Sequence, residues 1–147
     1  MPETVCGVTM REQTVSPFLP DGESVSERGE VFSSKFAPCW LSIDGESAVS
    51  IIHIPLSKFE DPRVGAETLR FPNISEMNDL PFEGEGVLAD DASIATAECG
   101  GSGPPYLSVQ VEVDSGIPEE VGARRNSLRA FTVQYLEGAM RENGCQS

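Results

Sequence analysis

Cys39-Trp40-Leu41-Ser42-Ile43-Asp44-Gly45-Glu46-Ser47-Ala48-Val49-Ser50-Ile51-Ile52-His53-Ile54 is the stretch that decides the fold. Cys39 to Ile43 reads as one strand and Ser47 to Ile54 as the next. Asp44-Gly45 stands between them, a dipeptide favoured in tight hairpins because both turn positions need positive φ. On the second strand Val49, Ile51 and His53 share one face, and Ser50, Ile52 and Ile54 share the other. A strand with one wet face alternates apolar and polar residues. Here both faces carry apolar groups, so this strand is expected near the middle of its sheet. β character is expected to begin upstream, at about Val31.

Further along, Tyr106-Leu107-Ser108-Val109-Gln110-Val111-Glu112-Val113 alternates strictly, which predicts a strand with Leu107, Val109, Val111 and Val113 on its buried face. Val87-Leu88-Ala89 and Ala92 to Cys99 read as a second hairpin around Asp90-Asp91. A Gly/Pro loop, Gly100-Gly101-Ser102-Gly103-Pro104-Pro105, then leads into the alternating strand. From about Arg124 to Glu142 the period changes. Leu128, Phe131, Tyr135, Leu136, Ala139 and Met140 form one helical stripe, with Arg125, Arg129, Gln134, Glu137 and Arg141 mostly away from it. Asn143-Gly144 supplies a left-handed stop.

Near the start, Thr9-Met10-Arg11-Glu12 has the hydroxyl-to-carboxylate spacing of a capping box, predicting a short helix from Met10 to about Ser16. Pro17 and Pro20 end it, and Asp21-Gly22 is a turn. Between 55 and 85 the periodicity fails, with Pro55, Pro62, Pro72 and Pro81 interrupting it. The reading is a long irregular connection with one helical turn near Ala66 to Arg70. Connections of this length usually carry function or move, so it is the first place to seek a binding surface. The fold class is α+β: a twisted antiparallel sheet with a short N-terminal helix and a long C-terminal helix packed on it.

Composition narrows the function classes. The chain has 147 residues, which suits one domain over 1–147 with a substantial core. Gly 14 and Pro 11 imply many turns. Asp+Glu 24 against Lys+Arg 10 gives a net charge of −14, a field that repels phosphates, so nucleic acid is not an expected partner. No apolar run is long enough to span a bilayer, and no membrane insertion is expected. Met1 to Met10 lacks the basic-then-apolar pattern of a signal peptide. The chain therefore reads either as cytosolic or as an ectodomain whose leader and anchor lie outside it, and its cysteines favour the second.

Those cysteines, Cys6, Cys39, Cys99 and Cys145, stand at the joints between the expected elements. Four cysteines permit three pairings. If the last helix runs antiparallel to the strand beginning at Tyr106, its end returns to the start of that strand. Cys145 then meets Cys99, and Cys6 is left for Cys39. Two such bonds point to an oxidising, extracytoplasmic compartment. No two cysteines are close in sequence, as zinc ligands usually are, so neither a metal nor another cofactor is expected.

Other candidates read more simply as structure. His53 could act as a base, but a packed strand histidine is the simpler reading. Glu83, Glu85, Asp90 and Asp91, extended by Glu60, Asp61, Glu67, Glu76 and Asp79, form an acidic run without the alternating ligands of a calcium loop. The loop beginning at Gly100 lacks the Lys-Ser/Thr of a phosphate loop. Trp40 reads as a core residue stacked on a disulfide. Asn73-Ile74-Ser75 is a glycosylation sequon that matters only for a eukaryotic secreted source.

Several local patterns resemble actinobacterial, Streptomyces-like envelope proteins, either secreted or membrane-tethered and of lipoprotein type. They are Val5-Cys6-Gly7 followed by a short helix and Leu19-Pro20-Asp21-Gly22; Pro38-Cys39-Trp40-Leu41-Ser42-Ile43; Ala97-Glu98-Cys99 followed by Tyr106-Leu107-Ser108-Val109; and Leu128-Arg129-Ala130-Phe131 with Tyr135 and Gly144-Cys145. The segment 55–85 has no counterpart in them. The resemblance implies an extracytoplasmic domain at the cell envelope and brings no catalytic residues. The expected function is non-enzymatic binding of a protein or small ligand. The alternative is a small extracellular hydrolase using carboxylates or His53.

Overall fold

The computed structural model describes residues 4–19, 25–29, 37–100, 104–142 and 145. The expected strand start at Val31, the Asp21-Gly22 turn, the loop residues Gly101 to Gly103 and the Asn143-Gly144 stop lie outside them. The sheet is antiparallel throughout. Its strands are β3 (Val25–Gly29), β4 (Ala37–Ile43), β5 (Glu46–Leu56), β6 (Ser75–Glu76), β7 (Gly84–Leu88), β8 (Ala92–Glu98) and β9 (Tyr106–Val113). They lie in the order β3-β4-β5-β9-β8-β7-β6, so β5 is central as expected. The turn between β4 and β5 has positive φ at both Asp44 (50°) and Gly45 (86°), the geometry that fixes Ile43 opposite Glu46.

At the N-terminus a second pair of positive φ angles, Cys6 (51°) and Gly7 (85°), closes a two-residue turn between β1 (Thr4–Val5) and β2 (Val8–Thr9). This corrects the capping-box reading. Thr9 is held in β2 opposite Thr4, and helix α1 (Glu12–Val15) begins after an extended Arg11 with no side-chain cap. A short 3-10 turn (Ser16–Phe18) follows and buries Phe18 completely.

The last helix, α3 (Val121–Glu142), starts earlier than its apolar stripe because Glu120 caps it. The Glu120 carboxylate accepts from the N–H groups of Ala123 (2.6 Å) and Gly122 (3.0 Å), which lower its pKa. All six stripe residues are buried, joined by Thr132 and Gly138. Phe131 meets Phe18 edge-on at 5.7 Å and stacks on Tyr135 at 6.2 Å. Burial pushes the Tyr135 phenol well above its usual pKa, with Glu27 adding to the effect. A β-carbon on Gly138 would lie 2.3 Å from Val8 Cγ1, so only glycine lets α3 approach β2 this closely.

Two disulfides fasten these layers. Cys6–Cys39 ties the small N-terminal hairpin to β4, and Cys99–Cys145 ties the entry of β9 to the end of α3. Both pairings are those expected from the helix direction. The bonds span 33 and 46 residues. Loop closure alone then contributes about 4 kcal/mol each in the chain-entropy account.

Residues 55–85 are more ordered than their prolines suggested. Helix α2 (Pro62–Thr68) begins with Asp61 accepting from the Arg63 N–H at 2.9 Å and with Pro62 in its first turn. It thus starts four residues before the turn expected at Ala66. Arginines of α3 hold the rest. Arg125 donates to Asn73 O, Ser75 Oγ, Asp90 Oδ1 and Leu88 O, while Arg129 donates to Asn78 O. These side chains are clamps rather than members of a solvated face.

Two outcomes check this architecture. No cysteine should be alkylated before reduction, and peptide mapping should link Cys6 with Cys39 and Cys99 with Cys145; reduction should lower the melting temperature by 10 °C or more, on the order of several kcal/mol. Gly138→Ala should destabilise by about 1–3 kcal/mol in denaturant melts, despite alanine's better helix propensity; an unchanged midpoint would contradict the close approach to Val8.

Candidate functional site

Alternation along the strands gives the sheet two unlike faces. One carries Leu41, Val49, Ile51, Val109, Val111 and Ala95 and is sealed by α3, over β7 to β9, together with the N-terminal residues Val5, Val8, Val15 and Phe18. The other carries Trp40, Ile52, Ile54, Leu56, Ser108 and Gln110, with α2 covering only its β7–β8 end. There Ala66 packs on Val87 and Ile94, forming a second, smaller core. Gly65 brings the helix in close, since a β-carbon at that position would sit 3.1 Å from Ile94 Cδ1.

Cys39 belongs to the sealed face, and its neighbour Trp40 therefore points to the other, where it is half-buried opposite Ser50. The expectation of a core tryptophan stacked on the disulfide is corrected by this alternation.

Between α2 and the uncovered part of the sheet lies an open trough of about 590 Å³. Its walls are apolar: Ile54 and Leu56 on β5, Val64 and Leu69 on and beside α2, and Ile94 on β8. Val64 is 60% and Leu69 49% exposed, an unusual surface use of large aliphatic groups. The floor is polar and partly self-paired. Thr96 Oγ1 reaches Ser108 Oγ at 3.2 Å, and Gln110 stands alongside. The 55–85 segment supplies one wall of this trough.

The acidic run does not converge on one point. Asp90 faces α3, where Asn73 Nδ2 (2.7 Å) and Arg125 Nη1 (2.9 Å) donate to it and lower its pKa. Glu76 pairs with Arg63 at 2.6 Å. Glu60 and Asp61 stand on the rim of the trough. Glu83 and Glu85 meet Glu98 in a hollow of about 250 Å³ beside the trough, together with Phe59 and Tyr106. Those two rings touch edge-on at 5.7 Å. Asp91 lies near Glu112 and Asp114 instead. Burial, then Asp114 and Asp91, raise the Glu112 pKa, while Asp114 accepts from Ser47 Oγ (2.6 Å) and Ser50 Oγ.

His53 is 7% exposed on the sealed face, opposite Val109, and burial lowers its pKa. Among the described residues no group of three or more His, Cys, Asp or Glu side chains is arranged to hold a metal ion. The sequence reading missed the trough and the Phe59–Tyr106 pair. Its usable signal was Asp61-Pro62 as a helix start, followed by the exposed aliphatics Val64 and Leu69.

The chain matches no family model, no curated protein and no solved structure.

The His53 environment sets a pH dependence. Because its folded pKa lies below the unfolded 6.5, the folded state binds fewer protons, and its contribution is complete above pH 6.5 and lost as pH falls through and below that value. From pH 7.5 to 5, the wild type should lose stability relative to His53→Leu; equal slopes in urea melts would contradict a neutral, buried imidazole.

Proposed function

We propose that this chain is a non-enzymatic, extracytoplasmic binding domain of a cell-envelope protein, and that it binds through the trough between α2 and the sheet. The observation that carries the reading is the apolar wall of that trough. An antiparallel sheet face left to water is ordinarily polar. Here Ile54, Leu56, Val64 and Leu69 remain accessible on either side of an open channel. Concave sites lined by apolar groups with a few polar ones are the usual form of ligand and partner sites. The two disulfides support an oxidising compartment. Among the described residues no helix is long and apolar enough to cross a membrane. The resemblance to actinobacterial envelope proteins supports the same location.

The hydrolase alternative draws on one carboxylate. Burial, with Asp114 and Asp91 nearby, raises the Glu112 pKa, the direction in which general acids are tuned. Its neighbour Asp114 is engaged by two serine hydroxyls, and His53 faces packed core.

The test uses a neutral fluorescent probe, N-phenyl-1-naphthylamine, because the net charge of −14 would repel the common anionic dyes. Its emission should rise on binding. The double variant Val64→Ser/Leu69→Ser should weaken binding roughly tenfold while changing stability by about 1 kcal/mol or less, since both side chains are largely exposed. No emission change with the wild type, or undiminished binding by the variant, would overturn the assignment of the trough.

A further inference from the structure

The trough ends in negative charge, and the sheet register shows how. On the open face, Ile54 lies opposite Ser108, Ser108 opposite Thr96, and Thr96 opposite Glu85. In the adjacent row Leu56 lies opposite Tyr106, and Tyr106 opposite Glu98. Each row therefore starts on an aliphatic side chain at β5 and finishes on a carboxylate at β7 or β8. Glu83 joins Glu85 and Glu98 in the hollow with Phe59 and Tyr106, and Glu60 lines the trough. Among the described residues the ion pairs are Arg63–Glu76 and Arg125–Asp90, and neither uses Glu60, Glu83, Glu85 or Glu98. Lys58, the basic residue nearest in sequence, is exposed and forms no such pair. Three carboxylates thus line the hollow beside two aromatic rings, and Glu60 lines the trough; Arg63, which shares an adjoining cavity with Glu85, is paired to Glu76, so the hollow keeps an excess of negative charge.

We infer that the occupant of the trough is a polypeptide segment of a partner protein that carries a large apolar side chain and, about three residues away, a lysine or arginine. This rests on the reading of the trough as the binding site and adds the chemistry of what binds. The apolar side chain sits against Ile54, Leu56, Val64 and Leu69, and the cation enters the hollow at Glu83, Glu85 and Glu98. The spacing follows from the sheet. From β5 to β8 is two strand steps, roughly 10 Å, which an extended chain covers in about three residues. The open form of the trough suits a chain crossing it better than a small molecule, which ordinarily has most of its surface enclosed.

The experiment compares two peptides by calorimetry on the intact protein: acetyl-Leu-Phe-Ser-Ser-Lys-Lys-amide and the same peptide with glutamates in place of the lysines. The lysine peptide should bind at least roughly tenfold more tightly, with affinity falling as salt rises, and should displace N-phenyl-1-naphthylamine. Since any cation is drawn to so acidic a chain, the location is tested by two charge-matched variants. Glu83→Gln/Glu85→Gln/Glu98→Gln should lose the preference, and Glu46→Gln/Glu119→Gln/Glu142→Gln, altered at exposed sites elsewhere, should keep it. Equal loss in both variants, or an equal affinity for the two peptides, overturns the inference. If the neutral probe binds but the lysine peptide does not, the trough stands as a site and the basic partner is rejected. If the neutral probe fails as well, the trough itself is rejected.

Discussion

Burial of the α3 stripe against one face of the sheet is the contact on which the rest of the molecule depends. Leu128, Phe131, Tyr135 and Leu136 are each at most 1% exposed. Side chains of this size contribute on the order of 2 kcal/mol apiece when fully buried. The same helix seats the N-terminal hairpin through Gly138, closes on the start of β9 through Cys145, and grips the 73–90 region through Arg125 and Arg129. Gly138 lies on the same stripe as Phe131 and Tyr135, and Arg125 and Arg129 stand toward its Leu136–Met140 side, so one side of α3 carries these attachments. The disulfides act on the same arrangement from the unfolded side, by removing chain entropy from the competing state.

The two hairpin strands on either side of Asp44-Gly45 were legible because turn chemistry and hydrophobic period agree there. The pairing of Cys99 with Cys145 was legible for a related reason: a long amphipathic helix after a one-sided strand has one economical way to pack. Where local signals were read alone, they misled. Thr9 and Glu12 have capping-box spacing, but the tight turn at Cys6-Gly7 commits Thr9 to a strand first. Trp40 follows a cysteine in sequence, which suggests stacking on the disulfide, but neighbours in a strand point to opposite faces and Trp40 lies on the other one.

The trough as a whole was not legible beyond its α2 wall, because its other walls come from the end of β5 and from β8 and β9, which sequence separates by tens of residues. Nor could sequence sort the acidic residues. Asp90 and Asp91 are adjacent, yet one is clamped by Arg125 and the other lies by Glu112 on the opposite side. What distinguishes these structural carboxylates from an available one is a cation distant in sequence: Arg125 of α3 for Asp90, 35 residues away, and Arg63 of α2 for Glu76, 13 residues away.

The asymmetry between the faces carries the functional argument one step further. α3 has 22 residues and, with the N-terminal segment, covers its face, whereas α2 has 7 and reaches only the β7–β8 end of the other. A face abandoned to solvent would be expected to trade Ile52, Ile54 and Leu56 for polar residues, at little cost to stability on a half-exposed strand. That the polar residues stand instead on β8 and β9, at Thr96, Ser108 and Gln110, divides the face into an apolar strip and a hydrogen-bonding strip. Part of the hydrogen-bonding strip serves the fold itself, since Thr96 bonds Ser108 across β8 and β9, whereas the apolar strip on β5 has no covering element on this face among the described residues. Under the proposed reading, a second surface laid across both strips excludes water from the apolar one.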